Sequence, residues 1–340
     1  MSKAIDWNNL GFQYMQTDCF VKAEYKNGTW SPLEVCTDHH ITIPIAATCL
    51  HYGQTCFEGL KAFFRKDGTM AIFRPEENAL RMIDTARRLV MEPPPVDLFL
   101  EAANLLVKLN KDFVPPYGTS ASMYLRPFLI GMSPHIGVHA SENYVFMMLA
   151  TPMGPYYQHG FLPVKAYIQE QYDRAAPHGV GNVKAGGNYA AGMMGDNDGK
   201  KKGFPICLYL DSAEHKYIDE FGTSNFLAIT REGDYVTPES TSILPSITNK
   251  SLQVIAKDFG MKVERRKIPV TELADFAEVG ACGTAVVITP VYSIYSNQRI
   301  YTFGTETEAG PTLRKLFNEI QGIQYGEIAD RHNWMHTVKP

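Results

Sequence analysis

The sequence predicts two α+β domains, and three observations carry that expectation. The chain has 340 residues, which at about 150 residues per domain suggests two domains. Strand and helix patterns follow one another irregularly, without the regular βαβ alternation of a Rossmann sheet or a TIM barrel. A stretch rich in Pro and Gly, 151–163 (TPMGPYYQHGFLP), interrupts the chain near its middle and reads as an interdomain connection. The expected domains are a small N-terminal one, 1–157, and a large C-terminal one, 172–340, joined by 158–171.

Segments 41–48 and 61–73 read as strands, the second containing a hairpin signal at Lys66-Asp67-Gly68. Arg74-Pro75-Glu76 opens a helix, with Pro75 at an early position. Leu80, Met82, Ile83, Ala86 and Leu89 form its apolar side, and Pro93-Pro94-Pro95 ends it. A second amphipathic helix spans 96–109, and strands follow at 122–130, 144–150 and 164–169. A Gly/Asn-rich turn at 179–188 leads into a helix over 189–200. Strands at 204–210 and 217–220 flank a turn, and 226–230 and 234–237 form a hairpin around Glu232-Gly233. Thr248 reads as the N-cap of a helix over 248–259, with Gly260 just past its end. A short helix is expected at 271–278, strands at 285–288 and 291–294 around Pro290, and a helix at 311–321 between two glycines.

Composition bounds the function. Hydrophobic residues are 45% and charged residues 20%, as in soluble globular proteins. The net charge is 32 − 36 = −4, which argues against a nucleic-acid binder driven by a basic surface. Cys19, Cys36, Cys49, Cys56, Cys207 and Cys282 include no CxxC pair, so free thiols in a reducing, cytoplasmic compartment are expected. The N-terminal residues have no apolar signal region. No apolar run approaches the ~20 residues needed to cross a membrane. No metal site is expected. His135 and His139 are four apart, but they lie among Pro134 and Gly137 with no Glu after His135. Asp196-Asn197-Asp198-Gly199 echoes a calcium loop, yet its twelfth position is Cys207.

The segment 178–189 (HGVGNVKAGGNY) stands out, with Gly179, Gly181, Gly186 and Gly187 around Lys184. Glycine permits close approach of a ligand or a left-handed backbone. A lysine in that setting can be a phosphate point charge, a Schiff-base amine, or a side chain facing solvent. Further segments narrow the reading. In order along the chain these are 52–63 (YGQTCFEGLKAF), 73–82 (FRPEENALRM), 124–127 (YLRP), 181–189 (GNVKAGGNY), 220–225 (EFGTSN), 243–248 (ILPSIT) and 283–285 (GTA). The set resembles the branched-chain amino acid aminotransferases, in the longer form of that family, over about residues 10–335.

The resemblance implies a fold-type-IV enzyme of two domains, like D-amino acid aminotransferase, with pyridoxal phosphate as cofactor. It implies that Lys184 bonds the cofactor and moves a proton between the substrate Cα and cofactor C4′. Glu220 matches the carboxylate on the pyridine nitrogen. Tyr189 matches the donor to the ring's phenolate oxygen. Arg81, Ile247, Thr248 and Thr284 match phosphate contacts, and Thr223 matches a position near cofactor and substrate. Tyr52, Tyr124 and Tyr156 match an aromatic wall for aliphatic side chains. Arg126, two residues from Tyr124 on one strand face, offers a guanidinium for a distal carboxylate. The Thr284-Ala285 turn would supply N–H groups for the α-carboxylate. Lys61 matches a position near the site with no argued role. The implied substrates are leucine, isoleucine, valine and glutamate with their keto acids, and the implied assembly is a homodimer. Where mammalian members carry a CxxC pair, this chain has Val286 and Thr289. Within the fold, D-amino acid aminotransferase and aminodeoxychorismate lyase are the rivals; from other classes, a non-catalytic protein that carries pyridoxal phosphate or senses a metabolite, and a phosphate-binding module without cofactor.

Overall fold

The computed structural model describes residues 5–154 and 161–339. These form two compact units. The first holds the described residues up to 154 with Lys184–Gly187 and the C-terminal segment from Gly322; the second holds the remainder up to Gln321.

The first unit is built on one antiparallel sheet. Its strands are β1 (Phe20–Lys26), β2 (Thr29–Trp30), β3 (Glu34–Cys36), β4 (Thr55–Phe57), β5 (Leu60–Phe64), β6 (Met70–Phe73), β7 (Ser122–Gly131) and β8 (Tyr144–Met153). The order is Met335–Thr337, β6, β5, β7, β8, β1, β2, with β3 on β1 and β4 on β7. The long β7–β8 pair runs from Ser122 opposite Met153 to Gly131 opposite Tyr144. Beside the short α1 (Thr48–His51), the unit has two long helices, α2 (Pro75–Arg88) and α3 (Val96–Leu109). In α3, Phe99, Ala102, Ala103, Leu106 and Val107 are buried, an i, i+3, i+4, i+7, i+8 stripe. That stripe joins Leu60, Ile72, Met82, Met123 and Phe146 in one core.

Two expectations fail here. Residues 41–48 form no strand, because Pro44 breaks the alternation and offers no donor. Leu80 is 51% exposed; the buried side of α2 is Pro75, Asn78, Ala79, Met82, Thr85 and Ala86.

The second unit contains β9 (Val164–Gln169), β10 (Ile206–Leu210), β11 (Ile218–Phe221), β12 (Ser224–Thr230), β13 (Tyr235–Pro238), β14 (Val263–Arg266), β15 (Phe276–Gly283), β16 (Val287–Tyr295) and β17 (Ile300–Thr302). Its order is β11, β10, β9, β16, β15, β12, β13, β14, with β17 on β16. Because β11 also pairs with β12, six strands close into a ring. Ile168, Leu208, Phe221, Phe226, Val279 and Ile294 belong to its core. The helices are α4 (Gly186–Lys201), α5 (Ile247–Asp258) and α6 (Pro311–Tyr325). Helix α4 packs by its glycines: a Cβ on Gly195 would lie 2.4 Å from Tyr209 Oη, and one on Gly199 would lie 2.2 Å from Cys207 Sγ.

Three sequence expectations are corrected in this unit. Ser246, not Thr248, caps α5, its side chain accepting from Asn249 N–H at 3.2 Å. Segment 271–278 is a 3₁₀ turn, Val270–Ala274, followed by the start of β15, because pairing with β12 and β16 overrides local helical preference. Strand β16 runs unbroken through Pro290. Its pairing with β9 begins at Val291, so the proline lies outside that ladder.

Candidate active site

In the first unit, Lys184-Ala185 docks antiparallel alongside β4. Phe57 N–H donates to the Lys184 carbonyl at 3.2 Å, and Ala185 bridges Cys56. Lys184 N–H donates to the hydroxyl of fully buried Thr85 at 3.0 Å. A Cβ on Gly186 would meet Thr55 Cγ2 at 2.9 Å, so the glycine lets the lysine segment approach β4. Gly181 and Gly186 are both outside the left-handed region. At these two positions the glycine admits a neighbouring segment of the chain rather than a left-handed backbone.

The Lys184 amine lies 4.6 Å from the Phe57 ring centroid. Burial, then the charge of Arg81, brings its pKa down to about 8, against the opposing pull of Glu58. Arg81 is clamped side-on by Glu58, which is 0% exposed: Nε donates to Oε1 at 2.7 Å and Nη2 to Oε2 at 2.8 Å. Asn78 Nδ2 donates to Oε2 at 2.7 Å. Burial works against the Glu58 charge, but Arg81, Lys184 and Asn78 outweigh it and hold the carboxyl below its usual range.

Tyr124 and Arg126 point to one side of β7. Arg126 lies over the rings of Phe57, at 4.8 Å, and Tyr124, at 5.3 Å. Its Nη2 donates to Tyr124 Oη at 3.3 Å, while its Nε is buried with no partner. Lys61 sits opposite Tyr124 in the β5–β7 ladder, and burial lowers its pKa to about 8. The expected group Lys184, Arg81, Tyr124 and Arg126 is therefore assembled in one unit. Tyr52 ends α1 at 39% exposure, its hydroxyl donating to the Ile136 carbonyl. Tyr156 lies outside the described residues.

The second unit carries the remaining candidates. Glu220, on β11, is 3% exposed and sits opposite Asn225 in the hairpin that closes the ring. Asn225 Nδ2 donates to Oε2 at 2.7 Å, Leu244 N–H donates to Oε1 at 3.0 Å, and Arg174 forms an ion pair with Oε1. Burial raises the Glu220 pKa, with Arg174, Leu244 and Asn225 opposing it. Thr223 is exposed at the β11–β12 turn. Tyr189 is half-buried on the first turn of α4. Asn188 beside it ties down the preceding loop, donating to the carbonyls of Val180, at 2.7 Å, and Val183, at 2.9 Å. Ile247 and Thr248 are buried at the N-terminus of α5, where backbone N–H groups and the helix dipole favour an anion. Thr284 and Ala285 form the β15–β16 turn. The turn closes on Val287 at φ +64°, a costly conformation for a β-branched residue.

Among the described residues, no group of three His, Cys, Asp or Glu side chains is placed to hold a metal ion. No helix among them is long and apolar enough to cross a membrane.

The model of the amino-transferase class IV family matches residues 55–294. A branched-chain-amino-acid aminotransferase of Haemophilus influenzae is 45% identical, over 99% of this chain and 100% of its own length. The chain belongs to the branched-chain amino acid aminotransferases of class IV. A Helicobacter pylori enzyme of the same name is 42% identical over 98% of both chains. The crystal structure of Escherichia coli branched-chain amino acid aminotransferase superposes with a TM-score of 0.79 at 25% identity, covering 95% of this chain and 100% of that one.

In this aminotransferase two polar residues escaped the sequence reading. Glu58 lies within a family segment, but nothing local pairs it with Arg81, which follows 23 positions later. Arg174 follows β9 in an unremarkable loop, and its partners Gly181, Ser242 and Glu220 are brought to it only by the closed ring.

Proposed function

We propose that this aminotransferase exchanges the amino group of leucine, isoleucine or valine with 2-oxoglutarate, reversibly, in two half-reactions. The observation that carries the reading is Lys184: a half-buried amine with a pKa of about 8, beside Arg81, Tyr124 and Arg126. Such an amine is substantially neutral near pH 8, as a nucleophile and proton carrier must be. The donor set fits pyridoxal phosphate, which when bound supplies an electron sink for the bond broken at the amino acid's Cα.

Lys184 would hold the cofactor covalently and, as a free amine, would carry the proton at the substrate Cα. Glu220 would keep a proton on the ring nitrogen, which requires its own carboxylate to be charged. Tyr189 would donate to the phenolate oxygen, and Thr223 would contact cofactor or substrate. Arg81, the N–H of Ile247, Thr248 and Thr284 would hold the phosphate. Glu58 takes one edge of the Arg81 guanidinium and so fixes its direction. Tyr52, Tyr124 and Tyr156 wall the aliphatic side chain. The unpartnered Nε of Arg126 supports its role as receiver of a distal carboxylate from glutamate or 2-oxoglutarate. Thr284-Ala285 receive the α-carboxylate. A homodimer rests on the resemblance, and a cytoplasmic location is supported by six unpaired cysteines.

The test is the visible spectrum of the purified protein before and after leucine. A yellow cofactor band that bleaches with leucine and returns with 2-oxoglutarate is expected. A protein that binds pyridoxal phosphate but leaves leucine unchanged overturns the reading.

A further inference from the structure

We propose that Arg174 is a positioning residue that keeps the Glu220 carboxylate charged and aimed, and that binds two loops to that same point. The proposal rests on the transaminase reading, in which Glu220 must hold a proton on the cofactor's ring nitrogen.

Three segments converge on one nitrogen. Arg174 Nη2 meets Glu220 Oε1 on β11, the Ser242 carbonyl at 2.5 Å in the connection before α5, and the Gly181 carbonyl at 2.9 Å, three residues before Lys184 in the chain. The arginine side chain is 9% exposed, so the contacts form away from bulk water. The crowding is built into the sequence. A Cβ on Gly181 would stand 2.3 Å from the Ser242 carbonyl oxygen and 2.6 Å from Ala175 Cβ, so only glycine brings these two carbonyls together. Two carbonyl dipoles and a carboxylate aimed at one spot repel unless a cation sits among them.

The charge balance around Glu220 gives Arg174 its weight. On the same strand the adjacent Asp219, buried and with Oδ1 unpartnered, opposes the Glu220 charge. From β15 Glu220 faces the buried Cys282 thiol. Asn225 on β12 and the Leu244 N–H are neutral donors. Arg174 is the cation of the set, opposing both burial and Asp219. Without it, Glu220 should take up a proton at higher pH and lose its hold on the ring-nitrogen proton. A residue that merely braced the loops would act equally at every pH.

The test uses the purified holoenzyme. The cofactor's visible band and the kcat of leucine–2-oxoglutarate exchange are followed from about pH 5 to about pH 9. In Arg174→Gln, both should fall along an acid limb displaced upward by about one unit or more. Activity lost near pH 6 should then exceed that lost near pH 8.5 by roughly tenfold. Arg174→Lys keeps the charge, so its limb should stay within about half a unit of wild type, at a lower plateau, because an ammonium lacks the planar fork of a guanidinium. Melting curves of each apo-protein record folding separately. A loss in Arg174→Gln that is the same at every pH overturns the assignment, as does a limb in Arg174→Lys displaced as far as in Arg174→Gln. If Arg174→Gln does not fold, the half-unit criterion on Arg174→Lys decides alone. A wild-type protein with no cofactor band overturns the transaminase reading itself, whereas a normal wild type with an unshifted limb in Arg174→Gln overturns only the role of Arg174.

Discussion

Replacing Gly59 by alanine should displace Tyr124 without replacing any charged residue of the site. The backbone at Gly59 is outside the left-handed region, so alanine is acceptable there on conformational grounds. The obstacle is steric: the new Cβ would lie 2.0 Å from Tyr124 Oη and 2.8 Å from Cζ. To reach ordinary contact at 3.4 Å, the hydroxyl must withdraw by 3.4 − 2.0 = 1.4 Å. Gly59 itself has little room to yield. Its N–H donates to Glu58 Oε2 at 3.2 Å, and its carbonyl accepts from Asn78 at 3.2 Å. The ring must therefore move, and its hydrogen bond from Arg126 lengthens or breaks. Overpacking of this kind costs about 1–3 kcal/mol. The strained hydrogen bond adds about 1 kcal/mol. A fall in Tm of roughly 5–12 °C follows. If Tyr124 walls the substrate as proposed, a misplacement of this size should lower kcat/KM for leucine by about 10²-fold. Differential scanning fluorimetry and steady-state kinetics measure both. Adding Tyr124→Phe removes the 2.0 Å contact but keeps the ring carbon at 2.8 Å, so the double variant should recover most, not all, of the lost stability. Wild-type melting and kinetics in Gly59→Ala would show that Tyr124 does not lie over Gly59.

Three further outcomes are expected. Arg126→Ala should cost about 2–5 kcal/mol in the half-reaction with glutamate and far less with leucine, which has no distal charge; equal losses in stopped-flow rates would remove Arg126 from substrate discrimination. Glu58→Gln leaves Arg81 without its buried counter-charge and should cost about 3–5 kcal/mol in denaturant unfolding, while lowering the Lys184 pKa further, because the Glu58 charge raises it; an unchanged unfolding midpoint would refute the clamp. Lys184→Ala should abolish transamination. Because the folded amine titrates near 8 rather than at the usual 10.5, the unfolded chain binds the extra proton in that window. The stability of wild-type apo-protein should therefore rise between about pH 8 and about pH 10.5. The variant should lose part of that slope, with Lys61 supplying the rest; an identical slope would contradict the shifted pKa.

The legibility of this chain was uneven for physical reasons. Helix α3 and strand β9 have the bounds the sequence predicts, 96–109 and 164–169, because periodicity and flanking prolines act locally. Segment 271–278 was misread because what makes Phe276–Gly283 a strand is two partners, β12 and β16, distant in sequence. Pro290 misled for the same reason: the strand continues through it opposite Gly280 of β15, and pairing with β9 begins one residue later. In the site, the pattern singled out Lys184 by its glycines. Glu58 and Arg174 were silent because an ion pair leaves no trace in spacing unless both partners share one element.

The glycines join the two levels. Around Lys184 the sequence leaves open close approach of a ligand or a left-handed backbone. Gly59, Gly181 and Gly186 all avoid the left-handed region, and at each an added Cβ would strike a neighbour at 2.0 to 2.9 Å. Those neighbours are the Tyr124 hydroxyl, the Ser242 carbonyl that Arg174 binds, and the strand residue Thr55 against which the lysine segment lies. A glycine of this kind records a neighbouring atom that has taken the place of its side chain, as Gly195 and Gly199 do in α4. Glu58 precedes Gly59 and Lys184 stands two positions before Gly186, and both are charged groups on which the proposed chemistry depends. Of the four glycines that single out Lys184, Gly181 and Gly186 are thus imprints of packing, and the same imprint at Gly59 leads to Tyr124, as Gly181 leads to Arg174.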